Sequence, residues 1–179
     1  MQDDQVKTID IHIPGWEELP EIALYMDQLL SFINGTSREF SEAVGWAPLT
    51  ATMVNNYVRA GIVDAPVKKK YSKKSLAMII AVYILKTCYT TEEISKLIKM
   101  GLDFGEPEIV YDRFKEAIED AVRSVFSGRV DLVHQDIPGG EDKYILGNFA
   151  LTFACKFYVQ REFTRRKDAM GDDNEKPKK

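Results

Sequence analysis

A chain of 179 residues, 45% hydrophobic and 29% charged, carries enough apolar material to fold alone, as one domain plus additions or as two small modules sharing a core. Its longest apolar run, Leu76 to Leu85, is about half the length of a membrane span, and the acidic, polar start "MQDDQVKTID" lacks the order of a secretory signal, so a cytoplasmic protein is expected. The net charge of −4 excludes a uniformly basic coat for nucleic acid.

Residues 1–18 read as a flexible lead. "LPEIALYMDQLLSFI" then sets Ile22, Tyr25, Met26, Leu29, Leu30 and Ile33 at helical spacing, with Pro20 near the start and Asn34-Gly35 as the stop. "TSREFSEAV" predicts a short second helix, opened by Thr36 or Ser37 and closed at Gly45, with "GWAP" as a turn. Thr50 caps a third helix that runs to about Ala60 and stops at Gly61. "DAP" next turns the chain, and "VKKKYS" extends as a strand, making a hairpin with lysines at its tip.

Ser72 caps a helix over 73–87, and its run Leu76–Leu85 is apolar all round, as a central buried helix is. A buried strand is the competing reading, disfavoured by length and by few β-branched residues. Thr90 and Glu93 form a capping box for a helix through Met100, which buries Ile94, Leu97 and Ile98. After the linker "GLDFGEPE", Pro107 opens a helix with an apolar stripe from Val110 through Phe114, Ile118 and Val122 to Phe126. "RVDLVH" is a short strand or irregular, and "IPGGEDK" a turn. A last helix, about Lys143 to Arg166, carries Phe149, Phe153, Phe157 and Tyr158, and 168–179 reads as a disordered tail. The fold class is therefore all-α, mainly helical, with a small β-wing.

Charge is distributed unevenly along this order. Leu49 to Lys74 holds six basic residues and one acid, Asp64, a local +5 in a chain of −4, so the remainder carries −9. Because salt screens charges over about 8–10 Å, a bound phosphate feels the local patch more than the distant acids. On the third helix, Met53, Val54, Tyr57 and Val58 form a buried stripe, while Thr52, Asn55, Asn56 and Arg59 fall in one row on the other face. That row has hydrogen-bonding groups, a guanidinium and no carboxylate. Asn can bond an adenine edge with donor and acceptor, and Arg can bond guanine or phosphate. The bland alternatives are an ordinary polar helix face and a solvated lysine turn. Adjacency of the two features favours a recognition helix flanked by a wing on the phosphates.

The succession "LTATMVNNYVRAGIV", "KKKYS", an apolar helix and "YTTEEISKLI" resembles the DNA-binding domain of the mercury-resistance regulator (MerR) superfamily. Its pattern is V-S-x-x-T-L-R-Y-Y-x-x-x-G-L, a wing with Y-R-x-Y, an apolar helix and a closing E-I. Leu49-Thr50 stand at V-S, Val54 at the leucine, Tyr57 at the second tyrosine, Gly61-Ile62 at G-L, Tyr71 at the last wing tyrosine and Glu93-Ile94 at E-I. Asn55-Asn56 replace the superfamily's Arg-Tyr pair, and Lys68-Lys69 its first wing Tyr and Arg, which shifts phosphate contact from forked guanidinium to the point charge of lysine. "LPEIALYMDQLLSFI", "TMVNNYV" and "KKKYS" together are similar to a bacterial family of unknown function, the domain numbered 1836, over most of Leu19 to about Phe114. This closer resemblance implies a winged-helix fold and no particular activity.

Nothing in the sequence marks an enzyme. No Gly-rich phosphate loop, nucleophile elbow or HExxH occurs, and His12 and His134 stand apart from each other and from the cysteines, so no metal or cofactor is expected. Cys88 and Cys155 form no CxxC and read as buried thiols of a reducing compartment. The expected organisation is a MerR-like winged helix-turn-helix core over 19–105 and a helical region over 106–167 that completes the core or pairs two copies. The expected function is a DNA-binding transcriptional regulator whose partner is double-stranded DNA. Thr52, Asn55, Asn56 and Arg59 face the groove, while Tyr57, Lys68, Lys69, Lys70, Tyr71, Lys73 and Lys74 serve the phosphates and wing. A winged-helix module for protein contact is the alternative, and no residue pattern names an effector.

Overall fold

Seven α-helices and one two-stranded ribbon make up the computed structural model, which describes residues 11–130 and 140–172, the side chains of the last helix over 144–167. A 3-10 turn, Trp16–Glu18, precedes β1 (Leu24–Tyr25), α1 (Met26–Thr36), α2 (Arg38–Val44), α3 (Ala51–Arg59), β2 (Lys70–Tyr71), α4 (Lys73–Leu85), α5 (Thr91–Leu102), α6 (Pro107–Phe126) and α7 (Gly140–Asp172). The fold is mainly helical with a small wing, as expected. Among the described residues no helix is long and apolar enough to cross a membrane.

The core is organised around α4. From Leu76 to Leu85 all but Met78 are buried, and Ile79 and Val82 are fully so. Ser72 caps this helix by accepting from the Ser75 amide, and Thr90 and Glu93 close the predicted box at the start of α5. Trp46, expected merely in a turn, stands at the meeting of α2, α4 and α7. Its ring lies edge-on to Phe40, Tyr83, Phe153 and Phe157 at 5.8–6.3 Å, and Nε1 donates to Gln160 Oε1 at 3.1 Å. Phe126, Phe153 and Phe157 are each at most 1% exposed. The C-terminal helices thus complete the core, and one hydrophobic cluster runs through both the 19–105 and the 106–167 segments.

Several readings of the sequence differ from the structure. The lead is anchored from Ile11 onward: Ile13 is 1% exposed, its amide donates to Glu119, the Trp16 amide donates to Asp112, and Tyr111 donates to the Pro14 carbonyl. Asn34-Gly35 do not stop α1, because the Asn34 amide is held against the Leu49 backbone within the helix. Ile22, assigned to that helix, is an exposed residue before β1. Cys155 is exposed and Cys88 half-buried, so the buried-thiol reading fails at the first. The helix α7 reaches Asp172, past Arg166. That helix also starts earlier than expected, at Gly140, so 140–143 of "IPGGEDK" are its first turn and not a loop. The stretch 131–139, with His134, and the remainder of the tail, 173–179, lie outside the described residues.

Candidate nucleic-acid interface

The third helix begins where Thr50 Oγ1 accepts from the Met53 amide at 3.3 Å, and it ends at Gly61, whose φ of +68° suits a residue without a Cβ. Its inner face is Val54 and Tyr57, both buried, with Met53 and Val58 partly so. Thr52, Asn55, Asn56 and Arg59 are all exposed and form the outer row. Arg59 Nη1 donates to Asn56 Oδ1 at 3.2 Å, so a neutral amide and not a carboxylate steadies the guanidinium here.

The hairpin that follows has an unusual tip. Val67 and Lys70 exchange both backbone hydrogen bonds at 3.0 Å, and the two residues between them, Lys68 and Lys69, sit at φ +50° and +66°. Two consecutive left-handed residues define the turn geometry that Asn-Gly or Gly-Gly fits best, and lysine there costs about 1–2 kcal/mol per residue. Lys68 and Lys69 are exposed, and neither makes an ion pair among the described residues. β2 then pairs antiparallel with β1, Leu24 opposite Tyr71 and Tyr25 opposite Lys70. Lys70 Nζ rests 4.9 Å from the centre of the Tyr25 ring, which braces an otherwise exposed side chain.

The remaining basic residues are more committed. Lys73 binds Glu21 and lies over the Trp16 ring at 5.2 Å, with its side chain 12% exposed. Lys74 Nζ is 3.6 Å from Asp64 Oδ2. Neither partner was visible as local spacing, since Glu21 and Trp16 are brought to Lys73 by the β1–β2 pairing. Tyr57 and Tyr71 are each 4% exposed, which removes them as phosphate contacts: both belong to the core beneath the wing and α3. The Tyr57 hydroxyl has no hydrogen-bond partner among the described residues, and burial, then the neighbouring Tyr83, push its pKa up to about 12. The accessible set is therefore Thr52, Asn55, Asn56 and Arg59 on α3 with Lys68, Lys69 and Lys70 on the wing.

The sequence model of the family described as Domain of unknown function (DUF1836) matches residues 14–114, from the buried lead through both strands and α1–α5 into the second turn of α6. Compared with the curated proteins and with the solved structures, the chain matches none. A match over more than half of the chain, taking in both the ridge on α3 and the lysine-tipped wing, makes this protein a member of the DUF1836 family.

Proposed function

We propose that this protein is a DNA-binding transcriptional regulator that uses α3 as a recognition helix and the 67–70 hairpin as a basic wing. The observation that carries the reading is the hairpin tip, where two exposed lysines occupy left-handed positions that glycine or asparagine would fill at lower cost. Charge offered at the end of a hairpin suits a phosphate backbone, and phosphate contacts fix register. The exposed row of Thr52, Asn55, Asn56 and Arg59, free of carboxylates, supplies donors and acceptors of the kind that read base edges in the major groove. The resemblance of "LTATMVNNYVRAGIV" and "KKKYS" to MerR-like regulators supports the same assignment.

Regulators of this design read paired half-sites as dimers. We assign pairing to α7, where Val159 and Phe163, one turn apart, are 46% and 66% exposed beside a partly exposed Tyr158. Selection of bound sequences from a random duplex pool tests the reading. Recovery of a two-fold motif that Asn55→Ala or Arg59→Ala alters, at about 1–3 kcal/mol per lost base contact, is the expected result. A protein that shifts no duplex at low salt is instead a winged-helix module for protein contact.

A further inference from the structure

The helices α4, α5, α6 and α7 do not close fully on one another, and a cavity of about 430 Å³ lies between them. Its walls include Ala81 and Leu85 of α4, Leu97 and Ile98 of α5, and Val110 and Phe114 of α6. An engineered apolar cavity of about 150 Å³ takes up benzene, so this one has room for a considerably larger body, within the roughly 300–1,000 Å³ of small-molecule sites. Small side chains make the space. On α5, a Cβ at Gly101 would stand 3.3 Å from Val110 Cγ1, so α5 approaches α6 closely there, and Ala77, Ala81 and Ala117 line the space between the helices.

Among the described residues, the charged side chains lining this cavity are two cations, Lys74 and Arg113, with no carboxylate. Both cations are weakly held. Lys74 faces an exposed Asp64 at 3.6 Å with half of its own side chain in solvent, and Arg113 reaches the Phe104 carbonyl only at 3.4 Å. An anionic head group can engage either without breaking a buried pair. Lys74 also lines a smaller adjoining cavity of about 170 Å³ with Gly61, Ile62 and Asp64, at the connection between α3 and the wing.

We infer that this cavity binds an amphipathic carboxylate, a medium-chain fatty acid or similar acid, with its apolar body between α4, α5 and α6 and its carboxylate on one of the two lining cations, Lys74 or Arg113. Charge selects the class: a cationic amphiphile meets only like charge among the described lining residues, and a neutral one leaves both cations in their present weak contacts. The inference stands without nucleic-acid binding.

Calorimetric titration of the full chain with dodecanoate, dodecan-1-ol and dodecyltrimethylammonium, each below its micelle concentration, tests it. Dodecanoate should bind saturably, at least tenfold tighter than the alcohol, with the ammonium weakest. The double variant Lys74→Gln, Arg113→Gln should lose the preference for acid over alcohol, and Ala81→Phe, which fills the cavity, should lose both. Methyl resonances of Leu97 and Ile98 should shift with dodecanoate in the unaltered protein, a readout that needs no variant to fold. No saturable dodecanoate binding, equal affinity for acid and alcohol, or methyl shifts confined to residues away from the cavity would each overturn the assignment.

Discussion

The side-chain amide of Asn34 satisfies both backbone groups of Leu49: Nδ2 donates to the carbonyl at 3.0 Å and Oδ1 accepts from the amide at 2.8 Å. This pair of bonds ties the last turn of α1 to the residue before the Thr50 cap, and so fixes where α3 starts. Asn34→Ala leaves two partly buried backbone groups without their partner, and each costs about 1–3 kcal/mol when stranded. Urea unfolding should therefore show a loss of at least about 1 kcal/mol.

Replacing Lys68-Lys69 with Asn-Gly separates turn geometry from charge. The substituted hairpin should be more stable by about 1 kcal/mol, because Asn and Gly enter left-handed backbone more readily than lysine, less the entropy that glycine loses on folding. Binding to duplex DNA should weaken in the same variant. A thermal melt and a binding titration moving in opposite directions is the expected outcome. A variant both more stable and equally good at binding removes the lysines from the interface.

Packing of α7 on Trp46 makes the C-terminal helices part of the core. Phe157 is fully buried and touches Trp46, Phe126 and Phe153 with ring centres 5.8–5.9 Å apart. Phe157→Ala should cost about 3–5 kcal/mol, as for other large aromatic truncations in cores. The change should appear in one cooperative transition, followed by tryptophan fluorescence and by circular dichroism alike. Two separable transitions would instead mark the C-terminal region as an independent unit.

Alkaline pH acts on buried phenols. Burial raises the pKa of Tyr57 to about 12, while an unfolded tyrosine releases its proton near 10. Between those values the folded chain holds a proton that the unfolded chain has lost. Stability is therefore fully present below about pH 10 and falls as pH rises toward 12. Tyr71, Tyr83, Tyr89 and Tyr111 are shifted upward too, chiefly by burial, and add to the alkaline loss. Tyr57→Phe should make that loss shallower by one proton. At neutral pH it should leave stability unchanged or raise it by about 1 kcal/mol, because the hydroxyl it removes has no partner among the described residues.

Signals confined to a few neighbouring residues were legible in the sequence. Ser72 and Thr90 cap where their side chains predicted, Gly45 and Gly61 take the left-handed backbone that ends α2 and α3, and the apolar run of α4 is central. The exposed row on α3 followed from helical period alone. What escaped depends on contacts far apart in the chain. Asn34 reads as a helix stop until Leu49 is seen to occupy its amide. A two-residue strand such as Leu24–Tyr25 has no periodicity to detect, and it carries the Tyr25 brace on Lys70 with it. Lys73 counted as one more surface lysine, although Glu21 and Trp16 hold it. Tyr57 and Tyr71 were aligned with wing and helix tyrosines on resemblance, but the hydrophobic side of each element faces the core, and both rings are buried there.

The salt dependence of duplex binding tests the proposed interface most directly. Fluorescence anisotropy of a labelled duplex, titrated with the protein at several salt concentrations, gives the slope of log affinity on log salt, which is close to −0.9 for each phosphate neutralised. Lys68→Ala, Lys69→Ala and Lys70→Ala together should reduce the magnitude of that slope by roughly 2–3 while leaving the fold intact. A slope unaltered in the triple variant, or no duplex binding by the unaltered protein at low salt, contradicts the account.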